Sequence, residues 1–212
     1  METRLADLSV ADLVARLATH DPIPGGGSAS ALTGAMAAAL VQMVVELTRG
    51  RPAAEGREDE LTEIGVAAAG FQSELVRLAE VDAAAYRTVL DARRLPRETE
   101  RDREARRVQV DAATREAIRA PMATADRASR VLDIAWRLAP IGNRNAISDV
   151  GVGAELAAAA IRGALLNVEI NLPYLPEDDA LRPDAEGLVR ELRGGLDRRE
   201  REIRAAVAER LA

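Results

Sequence analysis

Leu5, Leu8, Leu13 and Leu17 fall at helical spacing, and this stripe predicts a short first helix over 5–17, with Ser9 and Asp12 as local N-terminal caps. The segment from His20 to Ser28 stops it. Pro22 and Pro24 forbid continuation, while Gly25, Gly26 and Gly27 permit backbone angles closed to other residues. Ser28 is placed to cap the helix that follows. From Ala29 to Val45 the chain carries no charge, and Ala31, Ala35 and Ala39 recur at spacing four, so a helix buried on nearly all sides against a close neighbour is expected. After Arg49, Gly50, Arg51 and Pro52 a period near 3.6 returns through Leu61, Ile64, Ala68, Phe71, Leu75, Leu78, Val81 and Ala85, predicting a second long helix to about Arg94.

Leu95 and Pro96 break that helix, Thr99 offers a cap, and a polar stretch from Glu98 to Arg107 leads into a third helix reaching Ala120. Pro121 is expected to kink or restart it. The pattern resumes through Met122, Ala125, Ala128, Leu132, Ala135, Trp136 and Leu138, with Trp136 read as core, and closes at Pro140, Gly142 and Asn143. Ser148 and Asp149 form a capping pair for an apolar helix from Val150 to about Leu172, which Pro173 ends. From Leu188 to Leu211, Arg and Glu alternate at spacings of three and four, as on an exposed amphipathic helix. No strand pattern and no 20–50-residue repeat emerges. The expected architecture is an all-α antiparallel bundle of long helices, a single domain over 1–212.

Composition sharpens this picture. Apolar residues make up 48% of the 212 but aromatics only 2%, so the core must be built from Ala, Leu, Val and Ile, a palette that suits helices. With no cysteine there is no disulfide, thiolate ligand or Cys nucleophile, and a reducing, cytoplasmic setting is expected. A net charge of −6 argues against a nucleic-acid surface. Every one of the 29 basic residues is arginine, which fits GC-rich coding and calls for no functional reading. The first 20 residues lack a charged-then-apolar leader pattern, and the Ala/Gly/Ser/Thr-rich stretch at 29–45 is too weakly apolar to be read as a membrane span.

Three places can carry chemistry. The loop Pro22–Ser28 at a helix N-terminus is either a nest of backbone N–H groups for a carboxylate or phosphate, or a tight structural turn; it lacks the Lys of a P-loop and the preceding strand of a dinucleotide fingerprint. Asp82, among small apolar neighbours and one turn before Tyr86, is either a general acid or base with a raised pKa, or a surface carboxylate paired with Arg77 or Arg87. A third cluster runs from Asn143 to Asp149, and the helix it opens carries Asn167 and Asn171 on one face. Those amides either bind a heterocycle edge or satisfy backbone or a partner subunit, and Ser148 and Asp149 have capping as their alternative. His20 has no second His or Cys, so it is read as a loop residue and no metal site is expected.

These residues, taken in order, resemble the cyclodeaminase/cyclohydrolase family, whose members include the cyclodeaminase domain of formiminotransferase-cyclodeaminase and free-standing methenyltetrahydrofolate cyclohydrolases. The likeness rests on Pro22–Ser28 with the Ala-rich helix ending Met43–Gly50, then Asp82–Tyr86, Ala92–Pro96, Ala120–Pro121, Gly142–Asn143, Ser148–Asp149 and Asn167–Asn171, and spans nearly the whole chain. It implies an all-α homodimer that needs no cofactor and takes a tetrahydrofolate derivative as substrate. The reaction implied is hydrolysis of 5,10-methenyltetrahydrofolate to 10-formyltetrahydrofolate. One alternative is the cyclodeaminase reaction, in which formiminotetrahydrofolate closes to 5,10-methenyltetrahydrofolate and releases ammonia; another is a non-catalytic helical scaffold or binding protein. By the same likeness, Asp82 transfers the proton, Asp149 is its electrostatic or orienting partner, and Pro24, Gly25, Gly26, Gly27 and Ser28 hold a carboxylate or carbonyl of the substrate. Tyr86, Asn143 and Ser148 complete its binding, while Asn167 and Asn171 meet the pterin edge. Two positions depart from relatives: Arg51, Pro52 and Ala53 replace a lysine- and tyrosine-bearing segment, and Val81 replaces a frequent acid.

Overall fold

The computed structural model describes residues 3–211, and among them no strand occurs. Six α-helices carry the fold: α1 Val10–Leu17, α2 Gly26–Thr48, α3 Glu58–Arg93, α4 Glu100–Leu138, α5 Ile147–Asn171 and α6 Leu181–Leu211. Helices α2 to α5 form a closed ring in which each packs on the next and α5 returns to α2; α6 lies outside, across α5 and α4.

Small side chains set the spacing of this ring. A β-carbon at Gly34 would touch Leu75 and Ala160 at 3.3–3.4 Å, and one at Gly153 would meet the Ala37 carbonyl oxygen at 3.3 Å, so α2 is held tightly by α3 and α5. Adjacent pairs run antiparallel: Gly34 faces Leu75 and Gly65 faces Val45 between α2 and α3, while Gly26 faces Asn167 and Gly153 faces Leu40 between α2 and α5. By length and composition α2 could cross a membrane, yet 56% of its most apolar window is buried within the bundle. Its C-terminus stops at Gly50, whose φ of 68° is the left-handed geometry that glycine adopts without strain.

Local signals place most boundaries. Thr99 caps α4 with a reciprocal box: its hydroxyl accepts from the Asp102 N–H at 3.1 Å, and Asp102 Oδ2 accepts from the Thr99 N–H at 3.1 Å. Ser9 caps α1 in the expected way, accepting from the Asp12 N–H at 3.1 Å, but the helix predicted over 5–17 is split into a 3-10 turn at Leu5–Asp7 and the eight residues of α1. Helix α6 begins seven residues before the predicted start and is less exposed than expected, because Ala185, Val189, Leu192, Leu196, Ile203 and Val207 line a buried face.

Three expectations need correction. Pro121 does not restart a helix; it lies inside a continuous α4. A proline at 121 leaves the Ala117 carbonyl without its helical N–H partner, and Asn171 Nδ2 of α5 donates to that oxygen at 3.2 Å. Ser148 and Asp149 do not cap α5, which starts one residue earlier at Ile147, after a 3-10 turn over Arg144–Ala146. Trp136 is not core: it is 51% exposed on the outer face of α4, while Ala135 and Leu138 face inward.

Candidate active site

At one end of the ring the N-terminus of α2, the C-terminal half of α3, Ala117 of α4 and the end of α5 enclose a cavity of about 300 Å³. Gly25, Gly26 and Gly27 form one wall, Asp82, Tyr86 and Arg93 a second, and Asn167, Asn171 and Tyr174 a third. A larger open depression between α4 and the start of α6 is lined by charged side chains, among them Arg115 paired with Asp179 at 2.7 Å and Arg107 with Asp111 at 3.4 Å. The end cavity is the one that gathers the glycine turn, Asp82, Tyr86 and the two asparagines.

Asp82 is its chemical centre. Its carboxylate turns inward to Ser28, whose hydroxyl lies 3.0 Å from Oδ2 and 2.9 Å from the carbonyl oxygen of Ala79. Burial pushes the Asp82 carboxyl above its ordinary range, and hydrogen bonding from the Ser28 side chain and backbone N–H opposes that shift. Gly27 permits this approach: a β-carbon there would be driven into the Asp82 carboxylate, so the requirement is for space. The glycine turn thus receives an internal carboxylate, and Asp82 stands where the helix α2 dipole favours negative charge.

The two residues of that loop given binding roles that do not line the cavity are Pro24 and Ser28. Pro24 is buried beneath the turn, and Ser28 is fully buried and engaged with Asp82 and Ala79. Ser28 therefore positions Asp82 and does not cap α2, whose N-cap is Gly25. Tyr86, Asn167 and Asn171 do line the cavity. Both asparagines use their NH2 groups on backbone, Asn167 on the Gly163 carbonyl at 2.8 Å and Asn171 on those of Asn167 at 2.9 Å and Ala117 at 3.2 Å. What both can offer a ligand is the Oδ1 acceptor, and Asn167 keeps a second N–H besides.

Asn143, Ser148 and Asp149 lie elsewhere in the chain's fold. Asn143 closes the far end of α2, donating from Nδ2 to the Leu47 carbonyl at 2.8 Å and from its backbone N–H to Thr48 Oγ1 at 2.8 Å. Helix α2 spans about 33 Å between that end and the glycine turn. Asp149, half-buried, sits in the first turn of α5 near Asn143, and Ser148 is exposed. A single chain therefore does not bring Asp149 to Asp82.

The sequence reading missed Arg93 and Tyr174. Arg93 was legible, since Asp82, Tyr86, Val89 and Arg93 follow at spacings of four, three and four on one helix face. Tyr174 was not, because it sits in a 3-10 turn after Asn171 that only the packing directs to the cavity. Among the described residues no three His, Cys, Asp or Glu side chains gather in a group that could hold a metal ion.

Comparison with known proteins agrees with this architecture. The family model described as formiminotransferase-cyclodeaminase matches residues 9–187. A methenyltetrahydrofolate cyclohydrolase of Methylorubrum extorquens is 38% identical over 180 residues, covering 85% of each chain. The formimidoyltransferase-cyclodeaminase of Mus musculus is 30% identical over 177 residues, 84% of this chain, which spans only 33% of that longer protein. The crystal structure of a formiminotetrahydrofolate cyclodeaminase from Thermotoga maritima superposes with a TM-score of 0.86 at 26% identity, covering 97% of this chain and 98% of that one.

Proposed function

Because this chain belongs to the formiminotransferase-cyclodeaminase family, we propose that it hydrolyses 5,10-methenyltetrahydrofolate to 10-formyltetrahydrofolate, with Asp82 as the proton-transfer group. The observation that carries the chemistry is the half-buried Asp82 carboxylate, held by Ser28 on the wall of the end cavity. The preference for hydrolysis rests on the 38% identity to the cyclohydrolase, which matches this chain in extent.

The substrate is a delocalised cation, and a carboxylate beside the bridging carbon stabilises it and polarises water. Water adds to that carbon while Asp82 takes its proton, leaving a neutral tetrahedral adduct. Asp82 then returns the proton to N5 as the C–N5 bond breaks, and the hydroxyl proton leaves to solvent as the formyl C=O forms on N10. The sum is one water consumed and one proton released. Asn167 Oδ1, at the Gly26 end of the cavity, offers an acceptor to the N–H edge of the pterin. A cyclodeaminase reading has its own support in the Thermotoga maritima structure, which matches over 98% of its length. It uses the same carboxylate to assist closure on a formimino carbon with loss of ammonia.

Purified protein and its Asp82→Asn variant, followed by loss of the 5,10-methenyltetrahydrofolate absorbance above buffer hydrolysis, test this assignment. Asp82-dependent loss supports the cyclohydrolase. Gain of the band from formiminotetrahydrofolate, without its hydrolysis, replaces it with the cyclodeaminase. Silence toward both with a folded protein leaves the scaffold reading.

The functional unit we propose is a homodimer. The outward faces of the adjacent helices α2 and α5 expose Met36, Met43, Leu47, Val152 and Leu166, an apolar surface that a second copy would cover. Light scattering should give twice the chain mass, and Leu166→Arg should shift it to monomer; a monomeric wild type overturns the dimer.

A further inference from the structure

The α3 wall of the cavity carries opposite charges at its two ends. Asp82 and Arg93 are separated by eleven residues, a rise of about 16 Å, with Tyr86 and Val89 between them on the same face. Helical side chains lean toward the N-terminus, so the long Arg93 side chain reaches back along the cavity and brings the two charged groups to a separation on the order of 10 Å.

Arg93 is held without being neutralised. Its guanidinium carbon lies 5.0 Å from the centroid of the Tyr174 ring, and no carboxylate among the described residues pairs with it. The next residue differs: Arg94 is bound by Asp91 at 3.2 Å. Arg106 adds a second cation at this end, donating from Nε and Nη2 to the Arg93 carbonyl oxygen at 3.4 and 3.2 Å and covering the negative end of the α3 dipole. A guanidinium held over an aromatic ring spends no N–H on a carboxylate, so its donors stay available for a planar, bidentate one.

We propose that Arg93, presented by Tyr174, binds a carboxylate that the substrate carries at a distance from the reacting bond, the glutamate end of a folate. The inference rests on the folate reading above and deepens it by fixing the direction in which substrate lies. In a folate the bridging carbon and the first glutamate carboxylate are separated by a benzoyl ring and an amide, a span on the order of 10 Å. That span matches the distance between the two charged groups of α3. The reacting carbon then lies at Asp82, the benzoyl ring against Tyr86, Val89 and Ile170, and the carboxylate on Arg93.

The test separates this inference from the reaction itself. Calorimetric titration of wild type and Arg93→Gln would use p-aminobenzoyl-L-glutamate and p-aminobenzamide, which share the ring and amide but differ in the carboxylates. Wild type should prefer the glutamate compound by about 10–100-fold, the worth of a charged hydrogen bond, and Arg93→Gln should lose that preference. Equal affinities in wild type, no binding of either compound, or a preference that survives in Arg93→Gln each overturn the inference. Turnover of 5,10-methenyltetrahydrofolate against its pteroate analogue, which lacks glutamate, supplies the second readout: the wild-type KM advantage for the glutamate-bearing compound should collapse in Arg93→Gln. Carboxylate binding through Arg93 with no turnover by wild type would strike the proposed reaction alone. Turnover whose substrate preference ignores Arg93 would strike this inference alone.

Discussion

The Ser28 hydroxyl stands 2.9 Å from the Ala79 carbonyl oxygen and 3.0 Å from Asp82 Oδ2, with one proton for two acceptors. When Asp82 is ionised, Ser28 donates to it and Ala79 keeps its place in the α3 ladder. When Asp82 is protonated, the carboxyl can donate to Ser28 Oγ while the serine turns its proton to Ala79. Both protonation states are therefore hydrogen-bonded, which a group that gains and returns a proton within one catalytic cycle requires.

Asp82→Asn should lower kcat by about 10²–10⁴-fold, the usual worth of a positioned acid or base. It should also alter stability in a pH-dependent way. The folded-state pKa of Asp82 is raised above its ordinary 3.8, so between those two values the folded protein holds a proton that the unfolded chain has lost. Wild-type stability falls as pH rises through that window, whereas Asn does not titrate. The variant should melt above wild type at neutral pH, with the gap closing as the pH drops below the ordinary aspartate range. Melting curves across that range check it, and a gap independent of pH would contradict it.

Ser28→Ala removes a bond that pulls the Asp82 pKa down, so that pKa should rise further. With Asp82 acting as base, activity grows as it ionises, and the acid limb of the kcat/KM profile should move to higher pH. The profile is the informative readout: a uniform loss with an unmoved limb would leave Ser28 as packing only.

Gly27→Ala places a methyl group into the Asp82 carboxylate, with Ser28 and Ala79 behind it. The expected cost is about 1–3 kcal/mol of stability, typical of overpacking a filled site, together with severe loss of activity. Gly26→Ala is the control for stability, because its β-carbon would meet Asn167 Nδ2 at 3.5 Å, an ordinary contact. Chemical denaturation of the two variants should separate them clearly.

Asn171 and Pro121 should be energetically coupled. Asn171 supplies the Ala117 carbonyl with the donor that Pro121 lacks, so Asn171→Ala should cost about 1 kcal/mol more in wild type than in the Pro121→Ala background, where residue 121 regains its N–H. A double-mutant cycle by denaturation measures this coupling. Additive effects would show that the Asn171 amide does not serve that carbonyl.

How far the sequence carried depends on the range of each signal. Helix class, the breaks at Pro22–Gly25 and Leu95–Pro96, the Thr99 cap and the α3 stripe beginning at Leu61 were all legible, because capping groups, prolines, glycines and a 3.6-residue period act within a few residues of chain. The likeness of ordered motifs added the family. Asp82 and the glycine turn were both singled out as sites, but nothing local said that they were the same site.

The tertiary structure decided what depends on distant partners. Ser28 read locally as a cap, yet its partners Ala79 and Asp82 are more than fifty residues away and become available only when α2 packs against α3. Pro121 read locally as a kink or a restart, and the donor that satisfies the freed Ala117 carbonyl comes from Asn171, fifty-four residues beyond Ala117. Asn143, Ser148 and Asp149 were grouped with Asp82 by the family likeness, whereas within one chain α2 holds them at opposite ends of a rigid rod. By itself the sequence determined which segments are helical and which residues can do chemistry, since those follow from local sterics and side-chain identity. Only the packing of the helices determined which of these residues meet, because a buried carboxylate is positioned by whatever fills the space around it.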